Sequence, residues 1–292
     1  MYYCTHSDKN YLAKGITLVK NILSHDENAL IFYLCLDDET YNTVKELDNV
    51  EAIRIRKLEQ NYPELLAYKQ LNHKSNYGDA HSQYCWALTP FLIWHLLHSS
   101  FAMFYEVKEI IYCDADLYFY DSPIKIAESC KNKSVGIHSH GFSSYDPQTN
   151  DVGEFNVGCL YFKNNPIGQK VSTTWKNWLL NPQNEYAQKY GTCGDQKYLD
   201  LFIPLFGAEN ICVFDREANI LHAAPWNVTN YDYSKPVDLL FYHFSHFNTD
   251  FNGNWRSSNH GEWMPERDIP YIKYLYEQYN NQVTKSNELI NK

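Results

Sequence analysis

The chain has 292 residues, of which 44% are hydrophobic and 21% are charged. This composition is that of a globular protein with a sizeable core, and it excludes a disordered chain. The formal net charge of −10 repels the phosphate backbone of nucleic acids, so nucleic acid is not an expected partner.

Short apolar stretches rich in β-branched and aromatic residues alternate with segments whose apolar residues recur at helical spacing. The predicted strands are, in chain order, Ile31–Leu36, Glu51–Arg56, Ile110–Cys113, Val135–Ile137, Gly158–Phe162 and Ile211–Phe214. The predicted helices are Tyr11–Ser24, Thr40–Leu47, Thr89–His98 and Gln169–Leu180. This alternation predicts an α/β fold with an open, mostly parallel, twisted sheet flanked by helices, which binds ligands at the carboxyl ends of its strands.

Two acids follow the predicted strand Ile110–Cys113 directly. They are Asp114 and Asp116, with Ala115 between them. Acids at the end of a strand can converge on one divalent ion, and a departing diphosphate needs such an ion because negative charge develops on its bridging oxygen. Acidic pairs at this spacing also occur in proteins that bind no metal, but the position at a strand end favours a metal site.

Four further polar clusters follow along the chain: Glu154–Phe162, Gly191–Asp200, Ala223–Asn227 and Phe241–Phe247. Each has an ordinary structural explanation. Asn156 and Gly158 would suit a turn, Asp195 would suit a helix N-cap, and His243 and His246 would suit packed or surface positions. None of these clusters predicts a function by itself.

Together and in this order, the five motifs resemble those of glycosyltransferase family 8 and of related bacterial GT-A enzymes. These enzymes carry Asp-x-Asp, then Asn-Ala/Val-Gly before a strand, Asp-Gln opening a helix, Trp/Phe-Asn and a late His. The segment Thr5–Tyr11 is also similar to their nucleotide-binding first loop. The resemblance spans roughly residues 2–250. It implies a GT-A (Rossmann-like) fold and a hexosyltransferase-like enzyme that transfers a sugar from a nucleotide diphosphate donor.

The resemblance also implies a role for each matching residue. The implied metal ligands are Asp114, Asp116 and His243. The implied donor-binding residues are Thr5, His6, Asp8, Tyr11, Asp114, Ala115, Asn156 and Gly158, and the implied catalytic residues beside the anomeric carbon are Asp195 and Gln196. Two acids and an imidazole suit Mn²⁺ better than Mg²⁺. UDP is the implied carrier and retention the implied outcome. Because Gln196 is a poor nucleophile, we expect direct attack by the acceptor on the face that the diphosphate leaves.

Two features depart from the family pattern. Family members often follow the metal-binding His with a Gly and then a Lys that contacts the diphosphate, whereas the residues from His243 to Asn248 include neither. Arg256 or the metal alone would then neutralise the phosphates. Family 8 enzymes also carry an Arg after a Tyr on the helix before the Asp-x-Asp strand, where this chain has Tyr84-Cys85-Trp86. The identity of the donor therefore stays open.

Two other functions stay open from the sequence. A sugar-nucleotide pyrophosphorylase would need a Gly-rich phosphate loop, and Cys4–Tyr11 contains no Gly. The other alternative is a catalytically inactive protein that binds nucleotide sugars or carbohydrate. The presence of the four polar site residues argues against it: Asp114, Asp116, Asp195 and Gln196. The acceptor, whether a glycan, a lipid-linked glycan or a protein, is not identified by any motif.

The sequence also predicts a location and a division of the chain. The eight cysteines form no Cys-x-x-Cys pair, the first residues do not resemble a signal peptide, and no apolar stretch reaches the ~18 residues of a membrane span. A cytoplasmic protein is expected, at most peripheral at the inner face of the membrane. A GT-A domain over residues 1–268 and a C-terminal helical tail over residues 269–292 are expected. The tail would either pack on the domain or lie on a membrane, and packing is favoured.

Overall fold

The computed structural model describes the chain except for residues 73, 75–77, 143–150, 182, 191–193, 234–236, 251–252, 257–268 and 292, and the side chains of residues 187, 188, 190 and 256. The strands are β1 (Tyr2–Ser7), β2 (Leu30–Cys35), β3 (Val50–Arg54), β4 (Glu109–Cys113), β5 (Leu117–Phe119), β6 (Val135–Ser139), β7 (Phe155–Lys163), β8 (Ile211–Val213), β9 (His222–Ala223), β10 (Phe241–His243), β11 (Asn248–Thr249) and β12 (Trp255–Arg256). The α-helices are α1 (Leu12–His25), α2 (Asp38–Val44), α3 (Ile55–Asn61), α4 (Pro63–Gln70), α5 (Ala80–His98), α6 (Ser100–Phe104), α7 (Ile124–Ser129), α8 (Pro166–Leu180), α9 (Glu185–Tyr190), α10 (Phe202–Phe206), α11 (Phe214–Glu217) and α12 (Pro270–Ile290). The 3-10 turns are Gln196–Leu201 and Val228–Asn230.

The central sheet has the strand order β3-β2-β1-β4-β7-β6-β8. Strand β1 pairs in parallel with both β2 and β4, and β3 and β8 also join their neighbours in parallel. Strand β7 runs antiparallel to β4 and β6. The prediction of an open, mostly parallel α/β sheet is therefore confirmed.

Helices cover both faces of this sheet, which explains why an inner strand such as β2 is apolar throughout and does not alternate. In β2, every residue from Ile31 to Cys35 is buried. On one face α5 and α8 pack together, with Phe91 and Trp175 in the core. On the other face α1 contributes Leu18 and Ile22. The two layers of helices cover the faces of the sheet but not its carboxyl edge, where polar side chains lie.

A second, small sheet and the last helix complete that edge. Strand β10 pairs antiparallel with β5, which places His243 opposite Leu117, and β9 joins β10 in parallel. Helix α12 packs along α1, and the Tyr279 ring stacks on Phe244 with centroids 3.9 Å apart. The aromatic side of α12 is thus buried against the rest of the protein. Within the described ranges, no helix is both long and apolar enough to cross a bilayer.

Three local predictions differ from the structure. Thr5 and His6 lie inside β1 and not in a loop, because β1 pairs with β2 on one side and with β4 on the other. Asn156 and Gly158 lie inside β7 and form no turn. The helix predicted from Thr89 begins at Ala80, where the Asp79 carboxylate accepts a hydrogen bond from the backbone of Ser82 and caps the first turn.

Candidate active site

The two acids of the Asp-x-Asp motif meet a histidine at the carboxyl end of β4. Strand β4 delivers Asp114 and Asp116, while the pairing of β10 with β5 brings His243 beside them. The backbone N–H of Phe244 donates to the Asp116 carbonyl at 2.9 Å and fixes this approach. One ligand atom from each of the three side chains lies within 4.8 Å of those from the other two. The structure therefore assembles all three of the metal ligands named from the sequence.

The charges in this triad depend on one another. His243 Nε2 lies 3.1 Å from Asp116 Oδ1 and 3.7 Å from Asp114 Oδ2. Burial alone would lower the pKa of His243, but the two carboxylates outweigh burial and raise it. The same ion pair lowers the pKa of Asp116 against the effect of burial, whereas burial and the Asp116 charge keep the pKa of Asp114 raised. When protonated, His243 would place beside the two acids the positive charge that a divalent metal would supply there.

The chemistry of these donors fits Mn²⁺, which accepts both carboxylate oxygen and imidazole nitrogen. The surrounding residues hold the ligands in place. The Tyr112 hydroxyl donates to Asp114 Oδ1 at 2.7 Å. A Cβ atom at Gly158 would lie only 2.7 Å from Nδ1 of His243, so a glycine is required for the imidazole to reach the acids.

A second group of polar side chains lies beside the triad because β7 is antiparallel to β4. The first residues of β7 therefore sit at the carboxyl end of β4, where the Asp114 N–H donates to the Gly158 carbonyl at 2.8 Å. Asn156 Oδ1 accepts from the Gly158 N–H at 2.8 Å, and its Nδ2 donates to Gln196 Oε1 at 3.3 Å. Asn156 and Gln196, both named from the sequence, are thus joined in one network.

Asp195 precedes the 3-10 turn and is 3% exposed. Its carbonyl accepts a hydrogen bond from Trp175 Nε1 at 3.1 Å, but its side chain makes no capping bond, and its Oδ2 has no hydrogen-bond partner among the described residues. Burial and, after it, the charge of Asp114 raise the pKa of Asp195 to about 8. The explanation of Asp195 as an ordinary N-cap is therefore wrong for its side chain.

The residues implied to border the base lie at the end of β1 and the start of α1. The Thr5 hydroxyl is buried and has no partner in the described part of the chain. His6 Nε2 is 3.2 Å from the Tyr112 hydroxyl, and burial lowers the pKa of His6 to about 4, so this imidazole is neutral. Asp8 turns back to accept from the Tyr11 N–H at 3.2 Å. The Tyr11 ring is 40% exposed, so an aromatic surface is open beside the site.

Two residues near the site, Lys14 and His140, have no counterpart among the sequence predictions, and Trp226 was identified there only as part of the Trp/Phe-Asn motif. Lys14 is buried next to Tyr11. His140 Nε2 lies 3.1 Å from Asn156 Nδ2. Trp226 packs edge-on against both His140 and His243, and its Nε1 donates to the His140 carbonyl. A lysine within the apolar run Leu12–Val19 was a signal for Lys14, whereas His140 needed the tertiary structure.

Comparisons with known proteins bear on the fold. No known family profile matches the chain. The uncharacterized protein YfnF of Bacillus subtilis (strain 168) is 27% identical over 94% of this chain and 90% of its own length. The galactosyltransferase LgtC, solved with donor and acceptor sugar analogues, superposes with a TM-score of 0.59 at 15% identity, over 98% of this chain and 96% of LgtC. The chain has the GT-A fold.

Two further GT-A structures agree with LgtC. Mouse xyloside xylosyltransferase 1 superposes with a TM-score of 0.54 at 15% identity, over 84% of this chain and 97% of the mouse chain. The glycosyltransferase GlyE of Streptococcus pneumoniae TIGR4 superposes with a TM-score of 0.51 at 14% identity, over 99% of this chain and 62% of GlyE. The fold implied by the resemblance of the motifs is thus confirmed, while the sequences have diverged far enough that each site residue must be argued from this chain.

Proposed function

We propose that this GT-A protein is a metal-dependent glycosyltransferase that moves a sugar from a UDP-sugar to a glycan, lipid-linked or protein acceptor with retention of configuration. The observation that carries the proposal is the convergence of Asp114, Asp116 and His243 at the carboxyl edge of the sheet, where the charge of Asp114 also acts on the buried Asp195. Ligands of open α/β sheets bind at this edge. Mn²⁺ is the proposed ion and Mg²⁺ the alternative.

The structural neighbours support this proposal. LgtC was solved with donor and acceptor sugar analogues, and also as an active-site mutant in which a glutamine is replaced by glutamate. The mouse xylosyltransferase and GlyE are glycosyltransferases as well. A shared fold does not by itself fix an activity, so the proposal depends on the side chains at the site.

The proposed chemistry divides among these side chains. When bound, Mn²⁺ would supply positive charge that stabilises the departing diphosphate. The carboxylates of Asp114 and Asp116 and the Nε2 atom of His243 would hold it. The Asp195 carboxylate would stabilise the positive charge that develops on the anomeric carbon. The Gln196 amide, held by Asn156, would position the donor. The acceptor hydroxyl would attack the anomeric carbon on the face that the diphosphate leaves, and its proton would pass to the departing diphosphate.

A donor screen tests the proposal. UDP-, GDP- and CDP-sugars are incubated with the protein and Mn²⁺, and release of the nucleoside diphosphate is measured. Turnover of one donor above the rate without protein would support a transferase. Tight binding of donors with no turnover, even with a panel of mono- and disaccharide acceptors, would favour the catalytically inactive binding protein.

The acceptor and the cellular location stay predictions. The net charge of −10 opposes docking on an anionic leaflet, and α12 buries its aromatic side against the rest of the protein. We therefore propose that any contact with a membrane is weak and passes through a lipid-linked acceptor. The cytoplasm, where nucleotide sugars are made, is the proposed compartment.

Replacing His243 with Ala is expected to raise the Mn²⁺ concentration needed for half-maximal activity by at least about 10- to 100-fold, the range in which even outer-shell changes weaken metal binding. Only a neutral imidazole binds the metal. The carboxylates raise the pKa of His243 above the ~6.5 of an ordinary imidazole. Protonation should therefore begin to compete with Mn²⁺ at a pH above ~6.5, and the Mn²⁺ affinity should fall as the pH is lowered further. Calorimetric Mn²⁺ titrations at several pH values measure both effects. The exposed His246 provides the control, and equal effects of His246→Ala would contradict the choice of ligand.

For the nucleotide, we expect UDP to bind more tightly than GDP or CDP, and we expect Mn²⁺ to strengthen the binding of each nucleotide. The Tyr11 ring has a surface for stacking against a base, and the buried Thr5 hydroxyl and the Asp8 carboxylate lie on the adjoining strand and turn. Calorimetry with the three nucleoside diphosphates measures the order. Tighter binding of GDP or CDP would overturn the choice of UDP without affecting the fold.

A further inference from the structure

Lys14 is a buried cation with an incomplete set of partners. It lies in the first turn of α1, and only 9% of its surface is exposed. Its Nζ atom lies 3.9 Å from the centroid of the Tyr11 ring. Among the residues that the structure describes, none pairs with Lys14 in a salt bridge or a hydrogen bond. Lysine is almost never buried unless it is paired, because removing an ammonium group from water is costly.

The surroundings of Lys14 belong to the candidate active site. The negative charge of Asp116 acts on Lys14, although burial outweighs that attraction and lowers the pKa of the lysine. Asp116 forms its ion pair with His243 at 3.1 Å, and no salt bridge joins it to Lys14 in the described structure. On the other side, α12 covers α1, where the hydroxyls of Thr17 and Ser286 are 2.9 Å apart.

A second buried polar group beside the site also lacks a partner. The Tyr279 hydroxyl on α12 has no hydrogen bond within the described residues, and the ring is fully buried. Its ring stacks on Phe244, the residue after the candidate ligand His243. A buried ammonium group on α1 and a buried phenol on α12 thus lie on two helices that pack together, and neither has a hydrogen bond among the described residues.

Donors of this kind fit a multiply charged anion. A divalent ion held by Asp114, Asp116 and His243 would take up the negative charge that now attracts Lys14. With both carboxylates bound to the metal, neither would remain to face the ammonium group. A diphosphate would supply the missing anion, since its oxygens can bind the metal and accept charge-assisted hydrogen bonds from lysine. The chain between Phe244 and Trp255 has no Lys or Arg to do the same.

We propose that Lys14 binds the diphosphate of the donor, supplying from helix α1 the cation that the segment after His243 lacks. This inference rests on the proposed function, since it requires a nucleoside diphosphate at the metal triad. Lys14 would then stabilise negative charge on the leaving group. Its burial would destabilise the donor-free protein, and the residue would be retained because the donor needs it.

The test compares Lys14→Met with Lys20→Met, which removes the same charge from an exposed position on the same helix. Affinities for three probes are measured by calorimetry in Mn²⁺: UDP, inorganic pyrophosphate and uridine. We expect Lys14→Met to weaken the binding of UDP and of pyrophosphate by about 10- to 100-fold, the range for a lost hydrogen bond to a charged group. Uridine affinity should be unchanged, and Lys14→Arg should recover most of the loss.

Thermal unfolding separates this role from a purely structural one. Because Lys14→Met removes a buried charge with no close partner and retains most of the aliphatic volume, its melting temperature should equal or exceed that of the wild type. A lower melting temperature of Lys14→Met, or an equal loss of UDP and uridine binding, would show that Lys14 supports Tyr11 and the fold and would overturn the inference. If the wild type binds Mn²⁺ with UDP and pyrophosphate and Lys14→Met binds them equally well, only this inference fails. If the wild type binds neither, the proposed function fails with it.

Discussion

Asp114→Asn is expected to abolish transfer without destabilising the protein. Losing a carboxylate from the metal site should lower activity by about a thousand-fold, because the ion contributes several kcal/mol to stabilising the transition state and each 1.4 kcal/mol is tenfold in rate. The fold should tolerate the change, since burial raises the pKa of Asp114 and the folded state therefore disfavours its charged form at neutral pH. An amide oxygen at this position can still accept the hydrogen bond from Tyr112.

Asp116→Asn should be equally inactive but less stable, because Asp116 holds the direct ion pair with His243 and its pKa is lowered by it. Asp121→Asn, a change of the same charge at an exposed position paired with Lys125, is the control for net charge. Donor turnover is measured with Mn²⁺, with EDTA, and with EDTA followed by excess Mn²⁺, alongside thermal melts. Undiminished turnover in EDTA, or by Asp114→Asn, would mean that the triad holds no catalytic metal.

Most of the fold could be predicted from the sequence because the patterns that indicate strands and helices are local. An apolar strand that ends at acids needs no tertiary information, and Ile110–Cys113 corresponds to β4 within a residue. Strand β1 was missed because Thr5, His6 and Ser7 carry polar side chains, and their burial depends on pairing with strands far away in the sequence. The start of α5 was placed too late, since this helix is buried on nearly all sides and shows little periodicity over its first turns.

The site was predictable only as far as its motifs extend. The approach of His243 to the two acids depends on the pairing of β10 with β5, which periodicity cannot give, and the resemblance of the motifs supplied it instead. Tyr279 is buried in a cluster that joins α12 to Ala13 of α1, two helices at opposite ends of the chain. Such contacts follow from the topology, so residues outside the motifs became visible only in the folded protein.

Asp195→Asn is the second change from which we expect a large loss of activity. The carboxyl group is 3% exposed, and its Oδ2 has no partner among the described residues, so in a dry site its charge, when the group is ionised, acts strongly on a nearby ligand. Removing a preorganised group that stabilises transition-state charge lowers kcat by about 10²- to 10³-fold. The KM for the donor should change little, because positive charge on the anomeric carbon appears only in the transition state.

The stability of Asp195→Asn distinguishes this catalytic role from a structural one. Burial and the charge of Asp114 raise the pKa of Asp195 from 3.8 to about 8. The folded state therefore loses stability as the pH rises from the lower to the higher value, and a neutral amide should melt at the same temperature or higher at neutral pH and above. Asp200→Asn is the matched control on the same 3-10 turn. The Asp200 carboxylate accepts from the Glu154 N–H at 2.8 Å and lies 3.6 Å from Lys197 Nζ, so we expect this variant to lose stability and retain most of its kcat. If Asp195→Asn keeps the kcat of the wild type while melting at a lower temperature, Asp195 is a structural residue and the charge on the anomeric carbon must be stabilised by another group.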